Sequence, residues 1–218
     1  IEVFQKGGDV HTAVASEVFN VPPERVDKEM RRRAKVINFG ILYGMGANAL
    51  RANLGESISR EEAAGYLAEY FKQYSGLAKW VEQTKLSAEK LGYTETLFGR
   101  RRYFPGFKSA LPQMRSAAER MAVNAPIQGT QADIIKLAMV EADALIGREG
   151  WREEAALVMQ VHDELVYEMD KNNAEKIARA VCTVMEEAAP KDILSGVPII
   201  VEIAIGPNWG ATKKLTRS

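Results

Sequence analysis

Apolar residues recur at intervals of three and four between Glu24 and Tyr43, with no glycine before Gly40. That spacing predicts one long helix, stopped by Gly44-Met45-Gly46. A shorter helical stretch, Thr12 to Phe19, precedes it and ends at Val21-Pro22-Pro23. Ser59-Arg60-Glu61-Glu62 has the form of a capping box, with Ser59 as N-cap and Glu62 reaching back. It predicts a helix to about Tyr74. Another follows from Leu77 to Leu91, closed by Gly92. The period then changes. Tyr93 to Phe98 reads as a strand or hairpin, leading into Gly99 and three arginines. Helical periodicity returns from Pro112 toward Ile146, with Pro126 expected to bend or break the helix. After Ala155 the pattern turns to β. Leu157 to Val161 and Leu165 to Met169 are two apolar strands around His162-Asp163-Glu164, short enough for a tight hairpin. A helix from Asn173 to Ala188 and a last strand from Val197 to Ile205, ended by Gly206-Pro207, complete the chain. The predicted class is α+β: a helical first half and a smaller, mixed second half.

Composition narrows the function. The 218 residues are 46% hydrophobic and 27% charged, an ordinary globular balance with enough length for a core. Cys182 is the single cysteine, so an internal disulfide is excluded. With only His11 and His162 beside it, a Cys/His zinc cluster is not expected, and a reduced, intracellular setting is the simpler expectation. No apolar run reaches the roughly 18 residues that span a bilayer. The net charge is zero but uneven. Residues 1–120 carry 19 Lys and Arg against 14 Asp and Glu, while residues 121–218 carry 10 against 15. A basic surface and an acidic site are both compatible with this neutral total.

Four clusters carry candidate chemistry. Arg31, Lys35, Phe39 and Tyr43 step by four, which places them on one slowly drifting stripe of a helix, cations at one end and aromatics at the other. A nucleoside triphosphate has the same division, phosphates at one end and a flat apolar base at the other. The same pattern also describes two core aromatics beside a solvated basic face. Asp163 and Glu164 lie between two apolar strands. A divalent cation would compensate such a pair, since Mg²⁺ takes one or two carboxylates and then phosphate oxygens. A solvent-exposed turn is the alternative. Arg120, Asn124 and Gln128 again step by four and can donate to the minor-groove acceptors shared by all base pairs, or form a hydrated face that Pro126 interrupts. Arg100-Arg101-Arg102, followed by Tyr103 and Phe104, suits a phosphate backbone or a solvated loop.

Taken together, four segments closely resemble the C-terminal part of family A DNA polymerases, the bacterial DNA polymerase I type. They are R-R-R-A-K-V-I-N-F-G-I-L-Y-G (Arg31 to Gly44), T-L-F-G-R-R-R-Y (Thr96 to Tyr103), A-E-R-M-A-V-N-A-P-I-Q-G-T-Q-A-D (Ala118 to Asp133) and Q-V-H-D-E-L-V (Gln160 to Val166). They occur in the family's order and extend the resemblance over essentially the whole chain. It implies a mostly helical fingers region over 1–108 and part of an antiparallel-sheet palm over 109–218. It implies template-directed synthesis in replication and repair, with template–primer DNA and a dNTP as partners, no membrane, and a cytoplasmic, nucleoid-associated location.

The resemblance also assigns residues. Arg31 and Lys35 match the family's triphosphate-facing positions, and Lys35 its general acid for the leaving pyrophosphate. Phe39 matches the residue against the nucleotide sugar; it favours DNA over RNA synthesis and accompanies discrimination against dideoxynucleotides. Tyr43 matches the aromatic at the templating position, and His11 a further residue near the triphosphate. Asp163, with its less essential neighbour Glu164, matches a palm carboxylate on two Mg²⁺ ions, for which Mn²⁺ is a substitute. His162 matches a residue near the primer terminus. Arg120, Asn124 and Gln128 match contacts to template–primer, to which the Arg100–Arg102 run would add backbone contacts. The family's second metal-binding Asp belongs to an upstream segment, motif A, absent from these 218 residues, as is the thumb. The chain opens with Ile1. The expectation is a portion of a polymerase, inactive until an upstream segment supplies motif A, or else a non-catalytic DNA-binding fragment or subunit.

Overall fold

The computed structural model describes residues 2–42, 44–55 and 58–216, with Leu42 described by its backbone alone. The chain divides into two compact units, residues 1–129 and 130–218.

The first unit is helical. It comprises α1 (Glu2–Gln5), α2 (Val10–Phe19), α3 (Lys28–Leu42), α4 (Ala47–Leu54), α5 (Arg60–Gln73) and α6 (Ser75–Leu91), then the hairpin strands β1 (Tyr93–Glu95) and β2 (Arg101–Tyr103). It also holds the first half of α7 (Pro112–Arg148), within which the division between units falls. The capping box is formed in both directions. Ser59 Oγ accepts the Glu62 N–H at 3.0 Å, and Glu62 Oε2 accepts the Ser59 N–H at 2.8 Å. α6 ends where Gly92 takes φ +81°, the left-handed conformation that costs glycine least, and its N–H closes on the Ala88 carbonyl.

One core joins α2 to α5. Val14, Ala15 and Val18 face Ala34, Ile37 and Ile41, with Leu50, Leu54, Ile58, Ala63 and Tyr70 closing around them. Ala34, Ile37 and Ile41 are the buried stripe of α3, so the positions offset from it stay outside. A second cluster joins Ala88 and Phe104 to Ala118, Ala122 and Ala125 of α7.

Expectations are corrected at four places, the last of them the final strand. The long helix does not begin at Glu24: Pro23–Arg25 forms one 3₁₀ turn and α3 starts at Lys28. Pro22 is extended (ψ 149°), as a residue preceding proline prefers, and this holds the helix back. Pro126 does not break α7, which runs through it. The alanines buried on its N-terminal side, with Ala138 and Ala142 buried beyond it, offset the lost N–H. The hairpin turn is two residues, not three, because Glu164 already pairs with Val161.

The second unit holds the end of α7, the antiparallel strands β3 (Ala155–Val161) and β4 (Glu164–Met169), α8 (Ala174–Glu187), and the short pair β5 (Ala204–Ile205) and β6 (Lys213–Lys214). Its core gathers Ala142, Leu145, Ile146, Trp151, Ala155, Ile177 and Val181. The predicted strand from Val197 is shortened to Ala204–Ile205. Residues 197–203 have strand composition but are not strand: the Val201 N–H is given to the Glu186 carboxylate at 2.8 Å, and the Ile203 carbonyl accepts the Leu215 N–H at 2.9 Å just ahead of the β5–β6 pair. Among the described residues, the three sheets are each two-stranded and antiparallel. Among the described residues, no helix is long and apolar enough to cross a membrane.

Candidate active site

The first candidate site is built on α2 and α3. Asp9 caps α2, its carboxylate accepting the His11 N–H at 3.1 Å. This sets His11 in the first turn of α2, beside α3. There Asn38 Nδ2 lies 3.1 Å from His11 Nδ1. With the amide donating, the imidazole carries its proton on Nε2. The His11 and Phe39 rings stand 6.0 Å apart at 45°, and Lys35 Nζ lies 5.9 Å from the Phe39 ring centroid. Arg31 Nε donates to Asp9 Oδ2 at 2.6 Å and Nη2 to Oδ1 at 3.2 Å.

His11, Arg31, Lys35 and Phe39 therefore share one face. Phe39 is 42% exposed, so it is not a core aromatic. Tyr43, the fourth member, lies outside the described residues. Burial pushes the His11 pKa below its ordinary value, opposed by the charge of Asp9 and assisted by Arg31 and Lys35. The imidazole is thus neutral at pH 7. The Arg31 hydrogen bonds hold the Asp9 carboxyl well below the usual carboxylate range, and Asp9 in turn raises Arg31. A shallow groove lined by Ser16, Asn20, Glu69 and Lys72 contains none of the candidate residues.

The polar row lies on the first half of α7. Because the helix continues through Pro126, Arg120, Asn124 and Gln128 keep a regular step of four. Arg120 and Gln128 are exposed and Asn124 half-buried. Gly44, at φ +66°, meets this helix: a Cβ there would come 2.8 Å from Arg120 Cγ, so only glycine allows the approach without a shift. Arg120 Nη1 donates to Ser116 Oγ at 2.7 Å.

The three consecutive arginines have separate partners. Arg100 Nη2 donates to the Gly129 carbonyl at 2.9 Å and ties the hairpin loop to α7. Arg101 is paired to Glu95 at 2.7 Å and stacks on Tyr93, 4.6 Å from the ring centroid. Arg102 lies over Phe104 and reaches Met121 Sδ at 3.6 Å.

The acidic hairpin belongs to the second unit. His162, at φ +52°, and Asp163 make the turn, and Glu164 opens β4. All three are exposed. Gln160 Nε2 donates to the His162 carbonyl and braces the turn. Neither carboxylate has an ion-pair partner among the described residues, and no group of three or more His, Cys, Asp or Glu side chains forms a metal cluster there. Two adjacent hard oxygen donors, uncommitted to any cation, are a donor set that suits Mg²⁺, which draws its remaining ligands from water and phosphate.

Sequence reasoning passed over Asp9 and Asn38. Asp9 had a legible signal, an acid just ahead of a helix start. Asn38 had none, because its meeting with His11 depends on how α2 packs on α3.

The sequence profile of DNA polymerase family A matches residues 1–211. The chain belongs to this family. It is 46% identical over 214 residues to the thermostable DNA polymerase I of Thermus aquaticus, covering 98% of this chain and 24% of that protein. It is 44% identical over 209 residues to DNA polymerase I of Pseudomonas aeruginosa, covering 96% of this chain and 22% of that protein. Among solved structures, the POL domain of Pol1 from M. smegmatis, in complex with DNA primer-template and dNTP, superposes with a TM-score of 0.81 at 42% identity, over 90% of this chain and 33% of that one. The chain thus spans about a quarter of the length of the curated relatives it matches.

Proposed function

We propose that this chain is the nucleotide-binding and part of the catalytic portion of a DNA-directed DNA polymerase that extends a primer 3′-OH with dNTPs in replication and repair. The observation that carries the reading is the convergence of His11, Arg31, Lys35 and Phe39 on one exposed face of α2 and α3 in a member of this family. A row of cations ending in an exposed aromatic complements a triphosphate ending in a sugar and base. Residues 1–108 act as fingers and 109–218 as part of the palm, a functional partition distinct from the two compact units because α7 begins in one and ends in the other.

In this reading Arg31 and Lys35 bind the triphosphate and neutralise the charge that grows on the leaving group. Lys35 gives the departing pyrophosphate its proton. The Nε2–H of neutral His11 donates to a phosphate oxygen. Phe39 packs against the sugar, and Tyr43 sits at the templating position. Arg120, Asn124 and Gln128 donate to minor-groove acceptors of the template–primer. His162 lies near the primer terminus, and Arg100, Arg101 and Arg102 line the phosphate backbone. Asp163 and Glu164 would hold Mg²⁺, or Mn²⁺ in its place, together with a carboxylate from an upstream polymerase segment. When bound, two such ions supply a 3′-OH of lowered pKa and a steadied triphosphate.

The test is Asp163→Ala in an active polymerase containing this chain. Primer extension should fall by about a thousandfold or more, roughly 4 kcal/mol of transition-state stabilisation, while a gel shift on primer–template DNA stays near wild type. Undiminished extension would overturn the reading and favour a non-catalytic DNA-binding role.

A further inference from the structure

Three consecutive arginines follow the first turn of α3, and they are not held alike. Arg32 and Arg33 both pair with Glu29, three and four residues back on the same helix. Such pairs form on any helix with this spacing. Arg31 instead pairs with Asp9, which lies outside α3 and ahead of α2. The Asp9 carboxylate is fully engaged. Oδ1 accepts the His11 N–H at 3.1 Å and Arg31 Nη2 at 3.2 Å, while Oδ2 accepts the Thr12 hydroxyl at 2.6 Å and Arg31 Nε at 2.6 Å.

The geometry matters because a guanidinium is a planar fork with five donors. Asp9 occupies the Nε–Nη2 edge. The Nη1 donors and the second Nη2 donor remain, on a side chain that is 49% exposed. An arginine held along one edge has little freedom left in its terminal torsions. Its other edge is aimed before a ligand arrives, so less entropy is lost on binding. The same carboxylate also starts the helix on which His11 stands. One anchor therefore places two phosphate-facing groups, one on each helix.

We propose that Asp9 is a positioning residue for nucleotide binding: it fixes the Arg31 guanidinium by one edge so that the opposite edge meets the nucleotide phosphates. The inference rests on Arg31 being a triphosphate ligand. Asp9 touches no reacting atom; it acts through Arg31. A carboxylate near an incoming polyanion would be unfavourable if free, and the bidentate pair cancels its charge.

The test is a double-mutant cycle of Asp9→Asn and Arg31→Ala in an active polymerase containing this chain. KM for dNTP and kcat are measured for the two single variants and the double variant. Asparagine caps a helix about as well as aspartate, so Asp9→Asn keeps the start of α2 and removes the charge. Asp9→Asn should raise KM for dNTP about tenfold, the scale of one charge-assisted contact, with a smaller change in kcat. In the Arg31→Ala background it should have no further effect. An unchanged KM for Asp9→Asn, or an equal increase with and without Arg31, would overturn the inference while leaving the polymerase reading intact. An Arg31→Ala variant with wild-type KM would overturn the role of Arg31 itself, and the positioning role with it. Thermal unfolding of each variant separates this from a folding defect: a Tm loss with kcat and KM unchanged counts against the inference.

Discussion

Two regions, the α2–α5 core of the first unit and the β3–β4 hairpin of the second, bury their apolar residues with unequal success. In the first, α2 to α5 close over Val14, Ile37 and Leu50, each almost wholly inaccessible. In the second, Ile177 and Val181 on the inner face of α8 are buried, yet β3 leaves Leu157, Val158 and Met159 between 37% and 55% exposed. The difference follows from the elements. A helix completes its own backbone hydrogen bonds, so four helices with apolar stripes can seal a core among themselves. A strand needs neighbours on both sides and a layer on its face, and a lone hairpin offers one neighbour. The face that carries His11, Arg31, Lys35 and Phe39 thus sits on a self-supporting scaffold, whereas the acidic turn sits on a hairpin with no third strand among the described residues.

Core truncations should separate the units most strongly. Ile37 and Ile177 are both fully buried, and replacing either by alanine should cost about 2–5 kcal/mol. Ile37→Ala should accelerate amide exchange across α2 to α5, and Ile177→Ala across residues 130–218. A variant that loosens both units equally would break the comparison. Pro126 should give the next largest effect. Pro126→Ala restores an N–H inside a helix that is already continuous, and should stabilise the chain by about 1–3 kcal/mol in urea unfolding. Destabilisation there would mean that the proline has a packing role that outweighs the hydrogen bond.

Gly44→Ala should follow, with a loss of about 1–2 kcal/mol, because it adds a Cβ at φ +66° and presses on Arg120. Relief by Arg120→Ala in a double variant would sharpen the assignment to that contact.

The smallest effect should come from pH. The His11 pKa is lowered by burial from its ordinary 6.5, so protonation favours the unfolded chain. Its contribution is present above pH 6.5 and lost as pH falls through the folded value. Asp9 is also depressed, from 3.8, so its contribution is lost only in more acidic solution, as pH falls below about 4. The Asp9–Arg31 pair is partly exposed, so its contribution should stay within about 1 kcal/mol. Amide exchange at pH 7.5 and 5.5 should show the first unit loosening slightly; an increase in its protection at the lower pH would contradict the sign.

Much of the fold was legible where a local rule acts alone. The capping box at Ser59, the left-handed stop at Gly92 and the hairpin around His162 and Asp163 each need only a few adjacent residues. The rule for proline misled at Pro126, because buried alanines on both sides outweigh one missing hydrogen bond. Strand composition misled between Val197 and Ile203, where the Val201 N–H bonds a side-chain carboxylate and the regular pairing is confined to Ala204–Ile205. Among the candidate site residues, the four-residue step put Arg31, Lys35 and Phe39 on one stripe, and the structure keeps them there.

By itself, the sequence determined the helix periods, the caps, the acidic turn and the family, because these depend on residues close along the chain or on segments in a set order. Only the tertiary structure decided which face of α3 is buried, that Asp9 reaches Arg31 and that Asn38 meets His11. Those pairs lie 22 and 27 residues apart, and no local propensity carries across such distances. They form because α2 and α3 must bury Val14, Val18, Ile37 and Ile41 against each other, and that packing brings their polar edges together.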